Sequence, residues 1–315
     1  MNKNCIPFRL AAMAAVLAVL LSALGAGLYG AETPAAKTRV VLARNPKAID
    51  GRDQCDAAEA ARLFDRALLE LTGAKSAAEA WKGLGIVPTD TVAIKVNCNN
   101  WTVSLSPKPE LVAALCRSLQ AVVPAGKVIV FDNEEEALRK GGMVEGRLAG
   151  ARVMVTGQGG YDGAQRLTNI LAREATKIIN LASMKTVDEG DLIVSLLLKN
   201  HIGSLVPEDM PKCHGDHDFL AGVGARPAIR AKTVLNMVTG LRATYRRGVP
   251  WYWAGILLGR DPLAVEAAAI SVINEKRKAE GLAALPLPRY LAIAGEKYKL
   301  GTCDPARIEQ VRLEL

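Results

Sequence analysis

Aromatic side chains make up only 4% of this 315-residue chain, and histidine occurs three times. A core so poor in rings must be aliphatic, and hydrophobic residues of all kinds supply 50% of the sequence. That composition favours helices packed on a Val/Ile/Leu sheet over an all-β sandwich. No Cys-x-x-Cys pair occurs, which argues against a thioredoxin-like centre or a cysteine-held cluster within the chain. There is no long Lys/Arg block, so no nucleic-acid partner is expected. The formal net charge of +8 (40 − 32) permits an anionic partner without demanding one. The glycine-rich loop Gly157–Gly163 matches neither a Walker loop nor the dinucleotide fingerprint and reads mostly as a turn. No internal repeat or low-complexity tract is present.

What is there begins with a targeting pattern. Lys3 and Arg9 form a short positive region, Leu10 to Leu28 carries no charge, and small residues follow at Gly30, Ala31 and Ala35. Residues 1–31 read as a signal peptide, or as an N-terminal anchor if uncleaved. A linker over 32–38 leads to one α/β domain over 39–315, expected to lie outside the cytoplasm, periplasmic or secreted. Five cysteines remain beyond the signal, an odd number in an oxidising compartment. Cys116 falls on the apolar face of an expected helix and reads as a small buried hydrophobe.

Along the domain, apolar runs alternate with helix-spaced patterns. Strands are expected at Arg39–Arg44, Thr91–Asn97, Lys127–Phe131, Arg152–Thr156, Lys177–Leu181, Thr233–Val238 and Tyr290–Ala294. Helices are expected over Asp56–Leu71, from Pro109 to about Val122, over the buried run Leu192–Leu198 and over Pro262–Asn274. The alternation predicts a mostly parallel, doubly wound, Rossmann-like sheet with helices on both faces. In such sheets polar groups just beyond the carboxyl ends of strands line the crevice. Asn97 to Asn100, Asp132-Asn133, Gly157 to Gly163 and Asn180 to Lys185 fall there.

All three histidines lie between Ser183 and Asp218, in one stretch with Lys185, Lys199 and Cys213. The Cys213-His214-Gly-Asp-His217 cluster can offer a thiolate and two imidazoles to a divalent metal ion, although its spacing is not a standard zinc signature. The plainer reading is a polar loop with backbone-bonded histidines. Lys199, followed by Asn200 and His201, can neutralise an anionic substrate or act as a base; otherwise it snorkels and Asn200 caps the helix. Glu134 to Glu136 reads as a solvated helix start. Arg242 to Trp253 mixes arginines with aromatics, as a lid or ligand platform does and as a loop anchored by its rings also does.

Several blocks, in order, resemble the domain-of-unknown-function family 362. They are Val92-Ala-Ile-Lys-Val-Asn97, Pro109-Glu-Leu-Val112, Val128 to Asp132, Ile179 to Lys185, Leu198-Lys-Asn-His-Ile-Gly203, His214 and Asp261-Pro-Leu-Ala-Val-Glu266. The resemblance implies an α/β protein in which Lys95, Lys185, Lys199, Asn200, His214 and Asp261 line a common site. Some members carry iron–sulfur modules, which implies redox or metal chemistry for part of the family and an iron–sulfur or membrane redox partner for a chain that has none. Val187, Glu266 and Asn236 depart from the family pattern.

The expectation is therefore an exported, metal- or redox-linked enzyme acting on an anionic small molecule. As an enzyme it would use His214, Lys199 and Lys185 in catalysis, with Lys95, Asn97, Asn200, His201 and Asp261 binding substrate. Cys213, His214 and His217 would hold any metal. The alternative is a non-catalytic binding protein for an anionic ligand or glycan.

Overall fold

The structure is a computed structural model, and it describes residues 37–98, 105–189 and 192–315. The expected signal peptide, and Asn99 and Asn100, lie outside the described residues. Among those residues no helix is long and apolar enough to cross a membrane.

Fourteen strands are described. β1 (Thr38–Arg44), β2 (Val92–Lys95), β3 (Val128–Asp132), β4 (Arg152–Val155), β7 (Lys177–Ser183), β10 (Thr233–Thr239), β13 (Gly255–Gly259) and β14 (Ile308–Glu314) form one eight-stranded sheet. Its order is β14-β1-β13-β10-β7-β2-β3-β4. Only β13 runs antiparallel, to β1 on one side and β10 on the other. Three two-stranded pieces lie outside it: β5 (Tyr161–Asp162) with β6 (Leu167–Thr168), β8 (Lys185–Glu189) with β9 (Leu192–Ser195), and β11 (Ala243–Arg246) with β12 (Val249–Trp251). The mostly parallel α/β sheet agrees with the alternation read from the sequence.

The helices are α1 (Ala57–Thr72), α2 (Ala77–Gly83), α3 (Pro109–Leu119), α4 (Glu135–Lys140), α5 (Leu197–Asn200), α6 (His217–Val223), α7 (Pro227–Lys232), α8 (Pro262–Ala279) and α9 (Arg289–Glu296). Local chemistry explains several boundaries. Asp56 caps α1 by accepting from the Ala58 and Glu59 N–H groups, and Gly73 ends it in the left-handed region at φ 68°. Pro109 and Pro262 open α3 and α8 at the position where a missing N–H costs nothing. The central strands β2 and β3 are buried along their whole length, as parallel strands covered on both faces must be. Two aliphatic cores result. One, with α8, α6 and α9, contains Leu197, Leu263 and Leu291; the other, with α1, α2 and α3, contains Leu63, Trp81 and Leu115. Cys116 is buried in the second.

Two expected elements take another form. Tyr290–Ala294 is not a strand but the middle of α9, with Tyr290, Leu291 and Ala294 buried at helical spacing. A five-residue apolar run fits either period, and its neighbours decide. Likewise Leu192–Leu198 is not one helix; it divides into β9 and the start of α5.

The topology explains where the site lies. β2, β3, β7 and β10 all end at the same edge of the sheet, and β13 starts at that edge because it runs backwards. The excursion from β10 to β13 therefore needs no crossover helix and stays on that side, as the β11–β12 hairpin. β7 likewise continues past the sheet through Met184 into β8 and carries Lys185 outward.

Candidate functional site

At this edge a cavity of about 650 Å³ opens. Strand ends supply Lys95, Asn97, Asp132 and Asn133. The β8–β9 hairpin supplies Lys185, Thr186, Val187 and Ser195, and the segment after it Lys199, Asn200, Ile202 and Gly203. The 3₁₀ stretch Pro207–Cys213 with His214 forms a further wall, and Thr244, Arg247 and Gly248 of the β11–β12 hairpin another. A volume of this size holds a small organic molecule.

The floor is a closed polar network. Lys95, 1% exposed, donates from Nζ to Asp132 Oδ1 at 2.6 Å, Val96 O at 2.8 Å and Asn200 Oδ1 at 3.1 Å. All three of its N–H donors are thus used. Asp132 also accepts the backbone N–H of Cys98 on Oδ2 and of Asn133 on Oδ1. Asn200, also 1% exposed, donates from Nδ2 to Lys95 O, Asn180 Oδ1 and Leu181 O, at 2.8 to 3.2 Å. Asn180 passes the connection on to Leu197 O at 3.0 Å. A buried ion pair is tolerated when its remaining valences are met in this way.

Gly203 has a steric role in this floor. A Cβ there would lie 3.1 Å from Asp132 Oδ1 and 3.2 Å from Lys95 Nζ. The Lys-Asn-x-x-Gly spacing thus turns one residue into the cavity, ties the next into the floor, and lets the backbone pass over the ion pair.

Above the floor stand two more lysines. Lys185 is 8% exposed and donates to Asn97 Oδ1. Burial pushes its ammonium down to about 8; Lys199 and Lys95 act in the same direction, against the pull of Asp132. Lys199 lines the cavity half-buried, and its ammonium makes no hydrogen bond or ion pair with any described residue. Arg247 adds a guanidinium on the hairpin side. Among the described lining residues Asp132 is the sole carboxylate, already bonded to Lys95, against four cationic side chains. Thr186 and Thr244 add hydroxyls 3.1 Å apart, while Leu105, Val187, Ile202 and Met210 make an apolar side.

The structure thus brings Lys95, Asn97, Lys185, Lys199, Asn200, Cys213 and His214 to one cavity. His214 sits exposed at its rim, and Cys213, 3% exposed, has its thiol pushed up by burial. Three expected residues are elsewhere. His217 begins α6 and stacks on Tyr290, centroids 6.4 Å apart. His201 is 2% exposed, outside the cavity lining, with neither ring nitrogen hydrogen-bonded; burial holds it neutral, down to about 3. Asp261 caps α8, accepting from Leu263 N, Ala264 N and Thr302 N, and does not reach the cavity.

The expected metal triad of Cys213, His214 and His217 is therefore not assembled. Among the described residues no group of three or more His, Cys, Asp or Glu side chains could hold a metal ion. The described donors at the cavity do not fit a metal centre.

Asp132 and Asn180 are among the strand-end groups expected at the crevice, and Thr244 and Arg247 lie in the candidate platform Arg242–Trp253, but the sequence assigns none of the four a site role of its own. The strand-end rule reaches the first two, since both stand at or near the carboxyl ends of β3 and β7. Glu266, marked in the sequence only as a departure from the family pattern, is fully buried and holds the Lys199 turn from behind. Its Oε1 accepts from Leu198 N at 2.5 Å, and Tyr290 donates to its Oε2 at 3.1 Å. The Arg242–Trp253 segment does two jobs. Arg242 pairs with Asp53 at 2.9 Å and Trp253 is buried, while the hairpin tip reaches the cavity.

No curated protein and no solved structure matches the chain. One family does: the model for a domain of unknown function (DUF362) matches residues 92–271, more than half of the sequence. The matched span contains every cavity-lining residue named above, and the chain belongs to the DUF362 family.

Proposed function

We propose that this chain is an enzyme that takes a small organic anion into the cavity and performs proton-transfer chemistry on it through Lys185. The observation that carries the reading is the charge imbalance. Lys199 offers an ammonium with no counter-charge among the described residues, beside a buried Lys185, in a cavity whose only described carboxylate is committed to Lys95. A bound carboxylate or phosphate supplies the missing charge, and partial desolvation strengthens the attraction.

Lys185 has the properties of an acid–base group. Its neutral and charged forms are both populated near pH 8, and Asn97 orients its nitrogen. Lys95 has no donor left for substrate, which favours a structural role for it. Leu105, Val187, Ile202 and Met210 suit a short hydrocarbon body on the anion.

Calorimetry with oxalate tests the binding half: measurable affinity, weakened about tenfold in Lys199→Ala, is expected. No heat and no melting shift from oxalate or phosphate at millimolar concentration would sink it. A binding protein without chemistry is the second reading, favoured by how completely the floor network satisfies itself; it predicts that Lys185→Met binds anions and wild type turns none over. Export by residues 1–31 and an external redox partner belong to the proposal on sequence grounds. Fractionation of the native protein tests the first, and co-purification tests the second.

A further inference from the structure

Lys185 and Lys199 differ in a way that assigns them different work. Lys199 reaches the cavity half-buried, its ammonium without a hydrogen bond or ion pair to a described residue, and is suited to hold an anion as a point charge. Lys185 is buried, which outweighs the pull of Asp132, close enough to Lys199 and Lys95 to feel both, and anchored on the Asn97 amide oxygen. An amine that is desolvated and crowded by other cations is the environment in which a lysine becomes a nucleophile. Lys95 cannot serve, because Asp132, Val96 and Asn200 occupy all of its N–H groups.

We propose that Lys185 is an amine nucleophile that forms an imine with the carbonyl carbon of a small oxo-carboxylate, whose carboxylate group rests on Lys199. The inference rests on the anion-binding reading above and names its substrate class.

The step balances with one proton from solvent and no other reactant. The nitrogen lone pair of neutral Lys185 attacks the carbonyl carbon, and the C=O π electrons move to oxygen. The nitrogen passes one proton to that oxygen, a second proton from solvent lets the oxygen depart as water, and the C=N bond forms as a protonated imine. Nothing is oxidised or reduced. The resulting iminium draws electrons from the adjacent carbon, which is the use that enzymes make of such adducts. The lowered proton affinity of Lys185 supports the assignment, since the attacking form is the neutral amine.

The test is reductive trapping. The full chain is incubated with pyruvate and sodium borohydride, then peptide-mapped by mass spectrometry. The expected result is a reduced pyruvate adduct on Lys185, with yield rising as pH is raised toward about 8. Oxalate, which has no ketone or aldehyde to trap, should suppress it, and Lys199→Ala should need about tenfold more pyruvate for the same yield. Lys185→Arg should give no adduct while still binding oxalate; the wild-type peptide map stands by itself if that variant does not fold. Oxalate binding with no adduct at Lys185 overturns the imine and leaves the anion site intact. Adducts spread over exposed lysines and insensitive to oxalate also overturn it. Absence of both oxalate binding and adduct overturns both readings.

Discussion

Lys95 and Asn200 hold each other twice: the lysine ammonium donates to the asparagine oxygen, and the asparagine amide donates back to the lysine carbonyl, each at 3.1 Å. The side chain of one residue thereby locks both ends of the other. Asn200→Ala should remove this link together with the bonds to Asn180 and Leu181. A loss of about 3 kcal/mol is expected, since several buried partners are left unmet at once. Urea unfolding measures it, and a loss under about 1 kcal/mol would mean the network relaxes around the gap.

Glu266 gives the protein a pH dependence. Burial pushes this carboxyl up from 4.5 to about 7. The native state then binds more protons than the unfolded chain between these values, so stability falls as pH rises from about 4.5 to 7 and levels off above. The shift corresponds to about 3 kcal/mol. Glu266→Gln should flatten that slope while keeping an acceptor for Leu198 N. Unfolding curves across the window check the sign, and an unchanged slope in the variant would contradict it.

Lys185 acts in the opposite sense. Its proton affinity falls from 10.5 to about 8 on folding, so its contribution to stability, complete above 10.5, is lost as pH drops through 8. Lys185→Met should therefore be more stable than wild type at neutral pH, by about 3 kcal/mol at most. In wild type, oxalate affinity should weaken as pH rises through 8 and the ammonium discharges. Calorimetry at pH values either side of 8 would detect the change, which the methionine variant should not show.

Asp261 and His201 should separate structure from binding. Asp261→Ala removes the cap of α8 and the bond to Thr302, at a cost of about 1 to 2 kcal/mol. His201→Phe replaces two unbonded buried nitrogens with carbon and should raise stability by about 1 kcal/mol. Neither change should alter oxalate affinity. A large affinity loss in either would return that residue to the ligand's surroundings.

Much of this was legible in the sequence, for reasons that particular residues show. Parallel strands such as β2 and β3 are apolar throughout and announce themselves, and their carboxyl ends lead to Lys95, Asn97 and Asp132. β13 did not announce itself. Gly255 and Gly259 bound it because a Cβ at the first would lie 2.5 Å from Ala43 O and at the second 2.6 Å from Val265 Cγ2. In sequence that close packing is indistinguishable from a flexible link. The histidines misled for another reason. Adjacent positions on a short helical turn face different ways, so nearness along the chain put His201 and His217 beside Lys199 and His214 on paper, whereas the fold sends them elsewhere.

The lone reversed strand has one more consequence. Because β13 begins where β10 finishes, the Arg247–Gly248 tip hangs from two adjacent, firmly zippered strands and carries none of the sheet's own pairing. Residues can be added or exchanged at that tip without moving a single rung of the ladder. It is the spot where ligand preference can drift between family members while the lysine floor stays as it is, and where a designer should graft first.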